Sequence, residues 1–67
     1  MKIILNNTAE SFEFECLTIS QLLKVKNFTF KMLIIKINGK LVKKDEYGTA
    51  IIRDGDDVTV LHLISGG

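Results

Sequence analysis

The sequence predicts an α+β fold in which one helix covers a mixed sheet of four to five strands. Apolar residues alternate at period two near both ends of the chain, and a helix-capping pattern stands between them. Asn-Gly and Asp-Gly turn signals then separate the short apolar runs of the second half. The predicted order of elements is therefore β-β-α-β-β-β.

The length of the chain limits what the protein can do. A chain of 67 residues has room for one small core, so residues 1–67 are interpreted as a single domain with a flexible tail from about residue 64. Hydrophobic residues make up 46% of the chain and charged residues 25%, as in ordinary globular proteins. A deep catalytic cleft is not expected.

Charge and cysteine content narrow the choice of partners and compartment. Nine basic and eight acidic side chains give a formal net charge of +1, which favours neither nucleic acid nor an anionic membrane. The single cysteine, Cys16, cannot form an internal disulfide, which indicates a reducing compartment. Because residues 1–6 are too short for a signal peptide and no run approaches a membrane span, we expect a cytoplasmic protein.

The N-terminal segment has the pattern of a β-hairpin. Ile3 and Leu5 alternate with less apolar neighbours, and residues 6–9 carry the turn-forming sequence Asn-Asn-Thr-Ala. The Phe-Glu-Phe-Glu sequence that follows alternates at period two. We therefore expect the second strand to place Phe12 and Phe14 inward.

A helix is predicted directly after the hairpin. Residues 18–21 have the spacing of a capping box, in which the side chains of Thr18 and Gln21 each accept from the other's backbone N–H. The apolar face of this helix consists of Ile19, Leu22 and Leu23. Asn27 marks the end or the last turn of the helix.

The second half of the chain is predicted to form short strands. Residues 33–37 are rich in β-branched side chains, and Asn38-Gly39 is a strong hairpin signal because both positions tolerate positive φ. The further elements are strands at residues 40–42, 50–52 and 57–63, with a turn at residues 54–56.

One topology fits these elements. In a small sheet, a single helix must cover the apolar face, and the first and last strands can lie side by side at the centre only as parallel neighbours. This is the β-grasp, or ubiquitin-like, arrangement. It leaves the C-terminus projecting from a central strand.

The last three residues, Ser65, Gly66 and Gly67, have a chemical interpretation. An enzyme that activates a main-chain carboxylate needs it on a thin chain that passes a narrow channel, and glycine has no Cβ to obstruct that passage. Joining the Gly67 carboxylate to AMP would supply a leaving group that a sulfur nucleophile can replace, giving a thiocarboxylate. The alternative is a frayed end without a function.

Short motifs also follow one another along nearly the whole chain. They are residues 3–6 (Ile-Ile-Leu-Asn), Thr18-Ile19 with Leu22-Leu23, Asn38-Gly39 with Val42 and Lys44, Tyr47, Asp54-Gly55-Asp56, Val58 and Val60, and Gly66-Gly67. In this order they resemble the thiamine-biosynthesis sulfur carrier proteins, usually called ThiS.

The resemblance implies a protein co-substrate without a bound cofactor, rather than an enzyme. Gly67 would be adenylated, with ATP and magnesium, by a ThiF-type adenylyltransferase similar to the ubiquitin-activating enzymes. A sulfur donor such as a cysteine desulfurase would complete the thiocarboxylate, and a ThiG-type thiazole synthase would accept the sulfur. Two alternatives stay open: a carrier for molybdopterin or another thiolation pathway, and a β-grasp interaction module that catalyses nothing.

The last strand offers a candidate docking surface. If Val58 and Val60 face the helix, the alternate positions of the strand face solvent on the other side of the sheet. The predicted docking residues are Leu61, Leu63 and Ile64. Apolar residues exposed beside a reactive tail would help partners to hold it, unless the twist of the strand buries them.

Other candidate residues have simpler structural explanations. A lone cysteine such as Cys16 is more often a small buried or half-buried side chain, and His62 has no partners at metal-ligand spacing. The acidic residues between positions 54 and 57 fit a turn better than a calcium loop. The lysines between positions 36 and 44 fit a solvated hairpin edge better than a docking patch.

Overall fold

The computed structural model of the protein describes residues 1–28 and 32–62. Its elements are β1 (Lys2–Leu5), β2 (Thr8–Ser11), β3 (Cys16–Thr18), α1 (Ile19–Val25), β4 (Leu33–Ile37), β5 (Lys40–Val42), a 3₁₀ turn (Lys44–Glu46), β6 (Ile51–Arg53) and β7 (Asp57–His62). A five-stranded sheet has the order β2-β1-β7-β4-β5, and β3 and β6 form a separate two-stranded sheet. The predicted mixed sheet with one helix is confirmed, whereas β3 and the small sheet were not predicted.

The centre of the large sheet is a parallel pair formed by the two ends of the described chain. β1 and β7 pair in the register Leu5 opposite Val58. The Ile4 N–H donates to the Asp56 carbonyl at 3.0 Å, and the Asn6 N–H donates to the Val58 carbonyl at 2.9 Å. The predicted parallel pairing of the first and last strands is therefore confirmed.

The first hairpin differs from the prediction in its turn. Asn6 and Asn7 both have positive φ, at 51° and 66°, so two residues close the hairpin and β2 begins at Thr8. The alternating Phe-Glu sequence consequently lies beyond the strand. Phe12 packs against the core as expected, but the inward orientation predicted for Phe14 is wrong, since that side chain is 50% exposed.

The start of α1 follows the predicted capping box. The Gln21 N–H donates to Thr18 Oγ1 at 3.1 Å, and the Thr18 N–H donates to Gln21 Oε1 at 2.9 Å. Ile19 and Leu22 are completely buried, so the predicted apolar face is the face that packs on the core. These contacts confirm the helix entry.

The end of α1 is a Schellman motif. Asn27 has a φ of 57°, the Phe28 N–H donates to the Leu23 carbonyl at 2.8 Å, and the Asn27 N–H donates to the Lys24 carbonyl at 3.1 Å. The predicted end of the helix at Asn27 is confirmed. Residues 29–31, in the connection to β4, lie outside the described residues.

The turns of the second half form as predicted. Asn38 and Gly39 have positive φ, at 50° and 83°, and Gly55 has a φ of 87° in the turn before β7. The brief strand predicted at residues 50–52 is β6, which pairs with β3. The last strand is confirmed as far as His62.

The two faces of the large sheet have opposite character. Within residues 1–28 and 32–62, the buried core contains only apolar side chains: Ile3, Leu5, Leu17, Ile19, Leu22, Ile35, Val42, Ile52, Val58 and Val60. The other face, which we call the open face, is formed by Lys2, Ile4, Ala9, Ser11, Ile34, Lys36, Leu41, Asp57, Thr59 and Leu61. Since Val58 and Val60 are buried and Leu61 is 52% exposed, β7 is oriented as expected.

Loss of the helix cap should destabilise the fold. We expect Thr18→Ala to lower the free energy of unfolding by about 1 kcal/mol, because the Gln21 N–H loses its acceptor. Thr8→Ala, at an exposed position of the edge strand β2, serves as the matched control and should cost about 0.5 kcal/mol or less. Urea unfolding measures both. Equal losses for the two variants would contradict the capping role.

The two faces of β7 should respond differently to a charge. Val60→Asp places a carboxylate in the core and should lower the free energy of unfolding by more than about 3 kcal/mol. This is a large part of the total stability of so small a domain. Leu61→Asp places it in solvent and should cost about 1 kcal/mol or less. Circular dichroism with urea titration distinguishes the variants, and a similar loss for both would show that Leu61 is not on a solvated face.

Candidate functional site

The described part of the candidate site is the end of β7 and the open face around it. Gly67, which carries the predicted reactive carboxylate, lies outside the described residues, as do the threading residues Ser65 and Gly66. The predicted docking residues Leu63 and Ile64 lie outside them too. Where these five residues are concerned, the predictions from the sequence stay predictions.

The strand that leads to the tail has neighbours on both sides. On one side β1 pairs with β7 as far as Leu5 opposite Val58. On the other side, the whole of β4 pairs with β7, from Ile37 opposite Val58 to Leu33 opposite His62. The final residues of β7 are therefore aligned by β4 after β1 has ended.

A side chain continues the contact where β1 stops. The Val60 N–H donates to Asn6 Oδ1 at 2.8 Å, and Asn6 Nδ2 donates to the Val60 carbonyl at 3.0 Å. The sequence identified Asn6 only as part of a turn and of a family motif. Its contact with Val60 spans 54 residues, and no local pattern signals it.

An apolar patch occupies the open face beside the end of β7. Ile34 lies directly opposite Leu61, and Lys36 lies between Thr59 and Leu41. Leu41 is 60% exposed, which is unusual for a large apolar side chain in so small a protein. Sequence reasoning found Leu61 but missed Ile34 and Leu41, although the alternation along β4 and β5 would have placed them on this face.

A groove continues this patch around the edge of the sheet. It has a volume of about 630 Å³, and Ile34 and Leu41 line it together with Tyr47. Lys43 and Lys44 also line the groove, and both are exposed. The surface around the end of β7 is thus apolar with lysines close by, which suits a partner that presents apolar and acidic side chains.

The acidic residues before β7 have structural roles. Asp54 Oδ1 accepts from the Lys2 N–H at 2.6 Å, and Asp56 Oδ2 accepts from the Arg53 N–H at 2.8 Å. Among the described residues, no group of three or more His, Cys, Asp or Glu side chains could hold a metal ion. These carboxylates therefore stabilise the turn that the sequence predicted.

Cys16 and His62 both lie at the surface. Cys16 is exposed, so the buried or half-buried position expected for it is wrong. The reason is the alternation of β3, in which its neighbour Leu17 takes the buried position. His62 is the exposed last residue of β7.

No helix within residues 1–28 and 32–62 is both long and apolar enough to cross a bilayer.

Two comparisons with known proteins agree with this architecture. The sequence matches the ThiS family over residues 3–67. The structure matches the crystal structure of a thiamine biosynthesis protein (ThiS) from Geobacter metallireducens with a TM-score of 0.89, at 22% sequence identity and with 100% of each chain covered. At this identity, the structural match establishes a shared fold. Because the family match extends over nearly the whole sequence, the chain belongs to the ThiS family, a family of small sulfur carrier proteins.

Proposed function

We propose that this protein carries sulfur for formation of the thiazole ring in thiamine biosynthesis, as a thiocarboxylate on Gly67. The observation that carries the proposal is the ThiS family match, which includes the Gly66-Gly67 terminus. The position of β7 supports it, because the residues that lead to Gly67 follow a central strand of a packed sheet. Rigid elements present reactive groups more accurately than loops do.

The chemistry has two steps, and both take place on a partner. A carboxylate oxygen of Gly67 attacks the α-phosphorus of ATP, and pyrophosphate leaves. Hydrosulfide then attacks the acyl carbon. The hydrosulfide is either free or released when a second thiol reduces a persulfide. The bond to AMP breaks and a thiocarboxylate remains.

The carrier itself contributes its terminus and a surface. Among the described residues, no group of three or more His, Cys, Asp or Glu side chains could hold a metal ion, and the buried core consists of apolar side chains. A ThiF-type adenylyltransferase would supply the ATP, magnesium and catalytic groups, and a ThiG-type thiazole synthase would accept the sulfur. A cysteine desulfurase or a similar donor would provide it.

The open face is the surface that such partners would hold. Leu61 and Leu41 are exposed and Ile34 is half-buried opposite Leu61, and burying this apolar area would contribute favourable binding energy. Leu63 and Ile64 are predicted to extend this contact. Because both partners must reach the same terminus, we expect them to bind this face in turn rather than together.

Intact mass spectrometry tests the carrier function directly. We expect the protein to gain the mass difference between sulfur and oxygen after incubation with ATP, magnesium, a cognate ThiF-type enzyme and a sulfur donor. The protein lacking Gly67 should show no gain, because its terminal carboxylate is displaced by one residue from the activating centre. An unchanged mass of the full chain, with an enzyme shown to be active, would favour the interaction-module alternative.

A charge on the open face should abolish binding of the partner. We expect Leu61→Asp to reduce retention of the activating enzyme in a pull-down by about a hundredfold, because the interface would bury an unpaired carboxylate. Val25→Asp is the matched control: Val25 is an apolar residue of α1 that is 49% exposed on the helix side of the sheet, and binding should be unchanged. Retained binding by folded Leu61→Asp would refute the docking surface while leaving the carrier function in place.

A further inference from the structure

We propose that Asn6 is a positioning residue that sets the direction in which the chain leaves β7 toward Gly67. The inference rests on the proposed carrier function, since a defined exit matters only if the terminus must enter a partner's active site. In this role, Asn6 helps to deliver the Gly67 carboxylate into the partner's active site. This role is distinct from closing the first hairpin.

The Asn6 side chain acts as a substitute for one residue of a β-strand. Its amide offers the same donor and acceptor as a backbone peptide group, and both engage Val60, at 3.0 and 2.8 Å. The Asn6 N–H also donates to the Val58 carbonyl. One residue therefore continues the β1 side of the parallel ladder past Leu5, where the strand itself has ended.

The conformation of the turn alone does not explain this contact. Asn6 has a φ of 51°, which glycine would adopt at less cost, and the neighbouring Asn7 also has a positive φ. What asparagine adds at position 6 is the amide that reaches Val60. These two hydrogen bonds are partly buried, so their loss would not be fully compensated by water.

The location of the contact gives it an effect on the exit of the chain. Val60 is paired with Ile35 of β4 on one side and is held by Asn6 on the other. It precedes His62, the end of β7, by two residues. Without the amide, residues from Val60 onward would be aligned by β4 alone and could pivot about that strand.

The chain contains a matched control for this role. Asn38 also has a positive φ, at 50°, and its side chain also makes two hydrogen bonds, accepting from the Asp57 N–H at 2.9 Å and donating to Asp56 Oδ1 at 3.0 Å. It therefore acts at the start of β7, whereas Asn6 acts near the end. Glycine tolerates both conformations, so Asn6→Gly and Asn38→Gly remove similar contacts without backbone strain.

Activation kinetics provide the functional test. With a cognate ThiF-type enzyme, ATP–pyrophosphate exchange would be measured as a function of carrier concentration for the wild type and both folded variants. For Asn6→Gly we expect kcat to fall about tenfold or more with KM unchanged, because docking is intact but the carboxylate is misplaced. For Asn38→Gly we expect both constants to be unchanged.

Residual dipolar couplings of the free protein provide a test that needs no partner. We expect the N–H vectors of Leu61 and His62 to reorient relative to β4 in Asn6→Gly and to keep their orientation in Asn38→Gly. Unchanged couplings in Asn6→Gly would overturn the proposal. The couplings can be measured even if the wild type supports no ATP–pyrophosphate exchange. That absence of exchange would refute the carrier function instead.

The remaining outcomes are equally decisive. Equal kinetic losses in the two glycine variants would show that Asn6 only stabilises the fold. A rise in KM at constant kcat would place Asn6 in docking rather than in positioning. Reoriented couplings with unchanged kcat would show that the exit direction has no bearing on activation, and would also overturn the proposal.

Discussion

The parallel pairing of β1 with β7 is the interaction on which the rest of the structure depends. It joins Leu5 to Val58, so the intervening chain must fold back before the pair can form. Parallel neighbours need a crossover, and α1 lies within the crossover that connects them. The same pairing makes β7 a central strand, with β1 on one side and β4 on the other. The residues that lead to the terminus thus follow a strand that is supported on both sides.

The sheet divides its two faces between folding and binding. Because side chains alternate along a strand, residues such as Ile3, Ile35 and Val58 lie on the face that the helix covers, where they are nearly or completely buried. The same alternation leaves Leu41 and Leu61 in solvent, where they contribute little to stability. A small domain has little apolar area to spare, so exposing these side chains is consistent with selection for a partner rather than for the core.

The sequence anticipated the parts of the fold that depend on local chemistry. The Thr18 and Gln21 cap, the end of α1 at Asn27 and the Asn38-Gly39 turn are each encoded within a few residues, and each is found. Pairings between distant segments were less accessible. β3 has three residues, too few to show a period, and it becomes a strand only by pairing with β6, which was itself predicted but without its partner. The candidate site follows the same division, since the alternation of β7 located Leu61 while residues 63–67 lie outside the described structure.

The asparagines show why conformation was easier to predict than contact. Positive φ at Asn6, Asn7, Asn27 and Asn38 follows from the tolerance of asparagine for the left-handed region, a property of the residue itself. Two of these four turn residues also use their amides to bind β7, one near its start and one near its end. Whether an amide finds such a partner depends on a strand that lies far away in the sequence, which no local pattern records. The hydrogen bonds from Asn6 and Asn38 to β7 are therefore a tertiary feature. They connect the turn of each hairpin to the strand that leads to the terminus.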